Sequence, residues 1–144
     1  MKRTALRRKP LKRGTKKRTV VTPLKRIKAA CWAECRRIAW ARAEGRCEWC
    51  GKRVVPDRVP EISGDCHHMV YRSASQHLKC RPENIVLICG PCHYRFHNKE
   101  SQTGWKLFEQ QRPADYAFVE KEKLINTTIY AHEWRDLLEW LRSQ

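Results

Sequence analysis

The fold is decided by residues 47–97, which read CEWCGKRVVPDRVPEISGDCHHMVYRSASQHLKCRPENIVLICGPCHYRFH. This stretch opens with Cys47 and Cys50 and closes near Cys89 and Cys92, so that 38 residues separate two Cys-x-x-Cys pairs. Two such pairs can bring four thiolates onto one tetrahedral Zn²⁺, at Zn–S distances of about 2.3 Å. We therefore predict that these four cysteines hold a structural zinc ion that closes the module on itself.

Eight cysteines would suggest disulfides in a secreted chain, but the sequence does not favour secretion. The N-terminus is charged from Lys2 onward, no apolar leader follows, and no apolar run approaches a membrane span. We therefore expect a cytoplasmic protein, in which paired Cys-x-x-Cys spacing indicates metal binding. Cys66 and Cys80 stay unassigned, and either could replace a paired cysteine as a zinc ligand.

Histidines crowd around the same stretch, although a four-cysteine zinc site does not need them. His93 and His97 are four residues apart on a predicted helix, so their side chains leave the same face and suit one metal ion. The third ligand must come from elsewhere, and His67 or His68 is the natural source. Because neighbours on a regular strand point to opposite faces, the strand must end or kink there for both to serve one site.

These residues suit the hydrolysis of a phosphodiester. A divalent ion can stabilise charge on the leaving oxygen, while a neutral histidine beside it deprotonates a water molecule. Histidine is suited to the second role because its ordinary pKa, about 6.5, lies near working pH. Four basic side chains surround the site in sequence and could hold flanking phosphates: Arg72, Lys79, Arg81 and Arg95.

The net charge of +16 indicates a polyanionic partner, most simply nucleic acid. Residues 1–30 hold 13 Lys and Arg and no acidic residue, and the Pro-Leu-Lys-Arg motif occurs twice there. We predict a basic, flexible arm over residues 1–26 that contacts phosphates, since it has too little apolar surface to fold. A solubilising or targeting tail is the alternative. If the arm contacts phosphates, the candidate residues are Lys12, Arg13, Lys25 and Arg26.

The elements are predicted from composition and periodicity. Residues 27–44 suit a helix that Gly45 ends, with Cys31 and Cys35 on one face as core residues rather than metal ligands. The apolar run of residues 85–88 predicts a buried strand, and Pro91 suits the first turn of the helix that carries the two histidines.

The C-terminal third looks like structural support. Residues 104–143 are expected to form helices, the last opened by Thr127 or Thr128 and carrying a packed apolar stripe. The fold class is therefore α+β, with one domain over residues 27–144 and its motif core over residues 47–98. The apolar stripe consists of Tyr130, Trp134, Leu137, Leu138 and Leu141.

The pattern of the core resembles the HNH endonuclease motif, whose fold is the ββα-metal or His-Me finger. The likeness covers about 50 residues and is close to small HNH proteins of bacteriophages, which often begin with basic arms. It implies a DNA endonuclease acting in the cytoplasm, which would be that of a bacterial host if a phage encodes the chain. The motif positions are Cys47, Cys50, His67, His68, Asn84, Cys89, Cys92, His93 and His97.

The resemblance also implies the role of each residue. His67, His93 and His97 would bind a catalytic divalent ion, and His68 would be the general base. Asn84 would brace the loop that carries the base or, in some members of the family, approach the metal. The three-histidine set leaves the metal open: Mg²⁺ prefers oxygen ligands, whereas imidazoles suit Zn²⁺, Ni²⁺ or Mn²⁺ better.

The function predicted from the sequence is metal-dependent hydrolysis of DNA. The alternative is a non-catalytic zinc module that only docks on nucleic acid, for which the histidines and Asn84 would have no use. A phage packaging or recombination protein is a candidate partner. The oligomeric state, the choice between nicking and double-strand cleavage, and the preferred DNA structure stay open.

Overall fold

Five α-helices and a two-stranded antiparallel sheet form the described part of the chain, which is residues 21–56, 62–125 and 127–144 of a computed structural model. This confirms the predicted α+β class. None of the described helices is both long enough and apolar enough to cross a bilayer. The elements are α1 Pro23–Arg42, β1 Gly64–His68, a 3-10 helix Pro82–Asn84, β2 Ile85–Cys89, α2 Gly90–Asn98, α3 Ser101–Gln111, α4 Pro113–Glu122 and α5 Ala131–Ser143.

The buried strand β2 confirms the strand predicted at residues 85–88. All five of its residues are buried, as expected for an apolar run that is covered on both faces. It pairs with β1 from Gly64 opposite Cys89 to His68 opposite Ile85. The first strand therefore ends at the second histidine of the pair, as the sequence required.

The helix α1 begins four residues before the predicted start, so residues 23–26 form its first turn rather than the end of the arm. Thr22 caps it by accepting a hydrogen bond from the Lys25 backbone N–H at 3.4 Å, and Pro23 suits the first turn. Residues 1–20, which include Lys12 and Arg13, lie outside the described residues. The helix ends at Arg42, and Gly45 follows with a φ of +65°.

The described residues bury two apolar clusters. One joins the sheet to α2, α3 and α4, and the other joins α1 to α5. Cys31 and Cys35 lie fully buried in the second cluster beside Trp134, in agreement with the prediction of core residues. Near the start of β1, α1 approaches closely because Gly64 has no side chain: a Cβ there would lie 2.7 Å from the Trp40 ring.

The last helix starts later than predicted, at Ala131 rather than at Thr127 or Thr128. The Glu133 carboxylate accepts a hydrogen bond from the Tyr130 backbone N–H at 2.6 Å, and this contact caps the first turn. Tyr130 thus precedes the helix and is 64% exposed, so it does not belong to the packed stripe. The buried part of the stripe is Trp134, Leu138 and Leu141.

Two arginines, Arg42 and Arg112, bind backbone carbonyls at the start of β2, a role that the sequence pattern did not predict. The Arg112 guanidinium donates to the carbonyls of Pro82, Glu83 and Ile85 at 3.2, 3.2 and 2.8 Å. Arg42 donates to two of the same carbonyls. The Glu48 carboxylate contacts both guanidinium groups, and the Asp115 carboxylate pairs with Arg112, so two acids face the two arginines. These bonds satisfy backbone oxygens that the short 3-10 helix leaves without helical partners.

We predict that Arg112→Ala lowers the free energy of unfolding by about 3 kcal/mol, because it leaves several buried carbonyls and Glu48 with fewer partners. Urea unfolding with zinc in excess measures the change. Arg135→Ala is the matched control, since Arg135 is exposed on α5 and has no ion pair among the described residues. Equal stability of the two variants would contradict the role given to Arg112.

Candidate metal centres

The four paired cysteines come together at one point, as predicted. The Sγ atoms of Cys47, Cys50, Cys89 and Cys92 all lie within 4.8 Å of one another, and the Cys50–Cys89 pair is 3.8 Å apart. Tetrahedral zinc with Zn–S bonds of about 2.3 Å requires S–S distances of roughly 3.8 Å. The thiols are not joined in disulfides, so the group fits a structural metal ion.

Backbone hydrogen bonds place the first cysteine pair beside the sheet. The N–H of Glu48 donates to the Leu87 carbonyl at 2.8 Å, and the N–H of Gly51 donates to the Cys47 carbonyl at 2.8 Å. The second pair lies at the end of β2 and in the first turn of α2. Cys66 and Cys80 are not part of the group in the described structure, so the predicted pairs supply its thiols.

We expect Cys89→Ser to lose the metal and with it the folded state, because metal affinity at such a site is folding free energy. Bound zinc and the thermal transition measure this outcome. Cys66→Ser is the control, since Cys66 lies outside the group, and it should keep one zinc per chain at this site. A metal-free Cys89→Ser protein with a normal thermal transition would show that the cluster is not structural.

A second group of possible ligands lies at the end of β1 and on α2. One ring nitrogen from each of His67, His93 and His97 lies within 4.8 Å of the others, and the Nε2 atoms of His93 and His97 are 3.0 Å apart. The Nε2 atom of His67 is buried and has no hydrogen-bond partner among the described residues. A buried nitrogen facing two others fits a metal ion, which would supply the missing partner.

The electrostatics of His67 agree with a ligand role. The ring is 4% exposed, and burial together with the neighbouring His93 and His97 lowers the pKa of His67 to about 3. The imidazole is therefore neutral at pH 7, the form in which it can bind a metal.

The Asp65 carboxylate orients one of these histidines, which the sequence analysis missed. Its Oδ2 atom lies 3.2 Å from Nδ1 of His93, so that Nδ1 carries the proton and Nε2 faces His97. Asp65 and His67 are two residues apart on β1 and share a face of the strand. The i,i+2 spacing of Asp65 and His67 in the sequence could therefore have indicated that Asp65 lies near the histidine group.

We predict that Asp65→Asn weakens metal binding at the three-histidine group by about 10-fold, the lower end of the range for such outer partners. Calorimetric titration with Ni²⁺ measures it, after the four-cysteine group has been loaded with Zn²⁺. Asp136→Asn is the matched control, because Asp136 is exposed on α5, and it should bind Ni²⁺ like the unmodified protein. An unchanged affinity in Asp65→Asn would remove Asp65 from the site.

His68 is held apart from the three-histidine group but borders the same cavity, whose walls also include Trp32, Tyr71 and Arg72. Its ring stacks on Trp32 with centroids 4.7 Å apart and an angle of 14° between the planes. Its Nε2 lies 2.9 Å from the Lys79 carbonyl, which can only accept, so Nε2 carries the proton. Nδ1 is therefore the basic nitrogen of this ring.

Burial is the main cause that lowers the pKa of His68, and the charges of Arg72 and Lys79 act in the same direction. The hydrogen bond to the Lys79 carbonyl opposes this shift because it favours the protonated ring. The net direction is downward, so the ring is neutral at pH 7 and able to accept a proton.

Asn84 braces the loop between the two strands. Its side chain is fully buried and accepts a hydrogen bond from the Val70 N–H at 2.7 Å. The same amide donates to the carbonyls of Val70 and Leu78 at 3.0 and 3.1 Å. It therefore fixes both ends of the loop that follows His68, and no ring nitrogen of the histidine group is among its hydrogen-bond partners in the described structure.

A scan of protein-family models, a search of curated proteins and a search of solved structures found no match to this chain.

The predicted basic residues lie in different places. Arg72 borders the cavity, and Lys79 supplies the carbonyl that holds His68. Arg81 lies over the Trp140 ring at 5.7 Å. Arg95 pairs with Glu100 and lies over Trp49 at 5.3 Å, and its position two residues after His93 directs it away from the face that carries the histidines. Lys25 and Arg26 are exposed in the first turn of α1.

Proposed function

We propose that this protein is a metal-dependent DNA endonuclease of the HNH type. The observation that carries the proposal is a single cavity bordered by two kinds of histidine site. Three imidazoles converge there as metal ligands would, and a fourth stands beside them with its basic nitrogen unused by the Lys79 hydrogen bond. Hydrolysis of a phosphodiester needs both parts: stabilisation of the leaving oxygen and a base for the attacking water.

A divalent ion held by His67, His93 and His97 would stabilise the charge that develops on the phosphate and its leaving oxygen. Nδ1 of His68 takes the proton of the attacking water. The Lys79 carbonyl then stabilises the resulting imidazolium through the Nε2–H bond, and Trp32 keeps the ring in its plane. Asn84 keeps the loop that contains the Lys79 carbonyl in place. The HNH resemblance implies 5′-phosphate and 3′-hydroxyl products.

The order of the elements supports the HNH interpretation. The adjacent histidines end β1, Asn84 directly precedes β2, and the last two histidines lie one turn apart on α2. The four-cysteine group joins the segment before β1 to the start of α2, so it is separate from the three-histidine group. The net charge of +16 suits a polyanionic substrate.

A zinc module that only docks on nucleic acid is the second candidate, because the four-cysteine group and the charge fit it equally well. The number of metal sites separates the two functions. One tightly bound zinc per chain indicates the docking module, whereas a second divalent site that depends on the histidines indicates the nuclease. Metal analysis of the purified protein and of His67→Ala decides between them.

We predict that His68→Ala keeps both metal sites and its affinity for DNA but cleaves about 10²–10⁴-fold more slowly, because it lacks the general base. His67→Ala should instead lose affinity for the second metal ion, so that a high metal concentration restores part of its activity. Cleavage of supercoiled plasmid, a Holliday junction and single-stranded DNA with Mg²⁺, Mn²⁺, Ni²⁺ and Zn²⁺ measures both.

His132→Ala is the control, because His132 is exposed on α5 and, among the described residues, stacks only on Tyr130. It should cleave like the unmodified protein. If His68→Ala cleaved at that rate too, His68 would not be the base. If the unmodified protein cleaved none of the three substrates with any of the four metals, the nuclease proposal itself would fail.

A further inference from the structure

Tyr71 forms an exposed aromatic surface at the edge of the histidine cavity. Of the exposed aromatic side chains among the described residues, Tyr71 is the one that borders this cavity. Trp32 borders it too, but Trp32 is partly buried and His68 stacks on its ring. The proposed cleavage reaction leaves Tyr71 without a role, although the side chain lies beside the candidate metal ligands.

One face of the Tyr71 ring is covered and the other is open. The ring stacks on His97, with centroids 5.8 Å apart and an angle of 17° between the planes. It meets the His67 ring edge to face, at 6.4 Å and 89°. The residue is 48% exposed, which is the result expected when one ring face is in contact and the other meets solvent. A flat aromatic face therefore lies directly behind a candidate metal ligand.

Hydrogen bonds on both sides of Tyr71 fix its backbone. The N–H and carbonyl groups of Val70 are bonded to the Asn84 amide at 2.7 and 3.0 Å. The Tyr71 carbonyl accepts hydrogen bonds from the N–H groups of Ala74 and Ser75 at 2.9 and 3.3 Å. A tyrosine has only two side-chain torsions, so a ring held in this way loses little entropy when a ligand covers its free face.

The surroundings of Tyr71 suit a nucleotide. Aromatic side chains stack on nucleobases of any sequence, because every base has a π-face. Arg72 follows directly, is exposed, borders the same cavity and has no carboxylate partner within the described part of the chain. A planar group and a cation at consecutive positions match the base and the phosphate of one nucleotide, in a chain with a net charge of +16.

We propose that the free face of Tyr71 stacks a nucleobase next to the reacting phosphate, so that the site takes a nucleotide that is unpaired or displaced from a duplex. In a B-form duplex, neighbouring base pairs cover the faces of each base and only its edges are accessible in the grooves. An aromatic ring therefore reaches a base face only after the base has left the stack. This inference rests on the proposed nuclease function and names the class of strand that the site accepts.

The first test compares three duplexes that differ at one position: a single unpaired adenosine, an abasic nucleotide in its place, or full pairing. Binding is measured with one equivalent of Zn²⁺ and no other divalent ion, so that cleavage does not interfere. Tyr71→Leu should weaken binding of the duplex with the unpaired adenosine at least about 5-fold, the lower end of the contribution of one stacked base. It should leave the affinities for the abasic and fully paired duplexes unchanged, and Tyr71→Phe should keep all three.

The salt dependence separates stacking from charge. Tyr71→Leu removes no charge and should keep the slope of log K against log salt concentration, whereas a lost phosphate contact would reduce that slope by about 0.9. Tyr130→Leu is the matched control, because Tyr130 is 64% exposed and is not among the residues that border the cavity. It should bind all three duplexes like the unmodified protein. Thermal unfolding of Tyr71→Leu should also match, since the side chain is exposed.

Two results would overturn the inference. Equal losses of affinity for the adenosine and abasic duplexes would show that Tyr71 contacts no base. Weaker Ni²⁺ binding in Tyr71→Leu with all three DNA affinities unchanged would show that the ring only positions His97. A protein that cleaves no DNA but shows the base-dependent loss would contradict the nuclease proposal and keep the stacking site. A protein that cleaves DNA without this loss would contradict the stacking site alone.

Discussion

Burial of β2 on both faces is the constraint on which the rest of the structure depends. Five consecutive apolar residues can lose contact with water only if one strand pairs with them and helices cover both faces. The partner strand carries His67 and His68, and their positions opposite Val86 and Ile85 are set by the register. A shift of one residue would exchange the faces of all side chains on β1 and separate His67 from α2.

The two ends of β2 are fixed in different ways. At its start, backbone carbonyls of the 3-10 helix receive hydrogen bonds from Arg42 and Arg112, and Asn84 ties the same point to the preceding loop. At its end, Cys89 joins the four-cysteine group. Two arginines and an asparagine thus hold one end through hydrogen bonds and the cysteines hold the other, so neither end relies on apolar packing alone.

Patterns between near neighbours in the chain were sufficient to predict much of this arrangement. The Cys-x-x-Cys pairs, the i,i+4 histidines and the apolar run each depend on local geometry, and the structure brings their residues together as expected. The contacts of Trp32 with His68 and of Arg112 with the entry to β2 join residues that are 36 and 27 or more positions apart. Sequence periodicity does not predict such long-range contacts, because they depend on how the helices and strands pack against one another. The early start of α1 was missed because its first turn shares the basic composition of the arm.

The two candidate metal sites share the short helix α2, so the geometry of one depends on the stability of the other. Cys92 points into the core and belongs to the four-cysteine group, while its neighbour His93 faces the histidine cavity. Successive helix positions differ by about 100°, so α2 can serve both sites only if its rotation about its axis is fixed. A metal ion bound by Cys89, just before the helix, and by Cys92 in its first turn would fix that rotation and thereby the positions of His93 and His97. Loss of activity on cysteine substitution would therefore report the position of α2 rather than a chemical role for the thiols, and the histidines must be tested with the cysteine group intact.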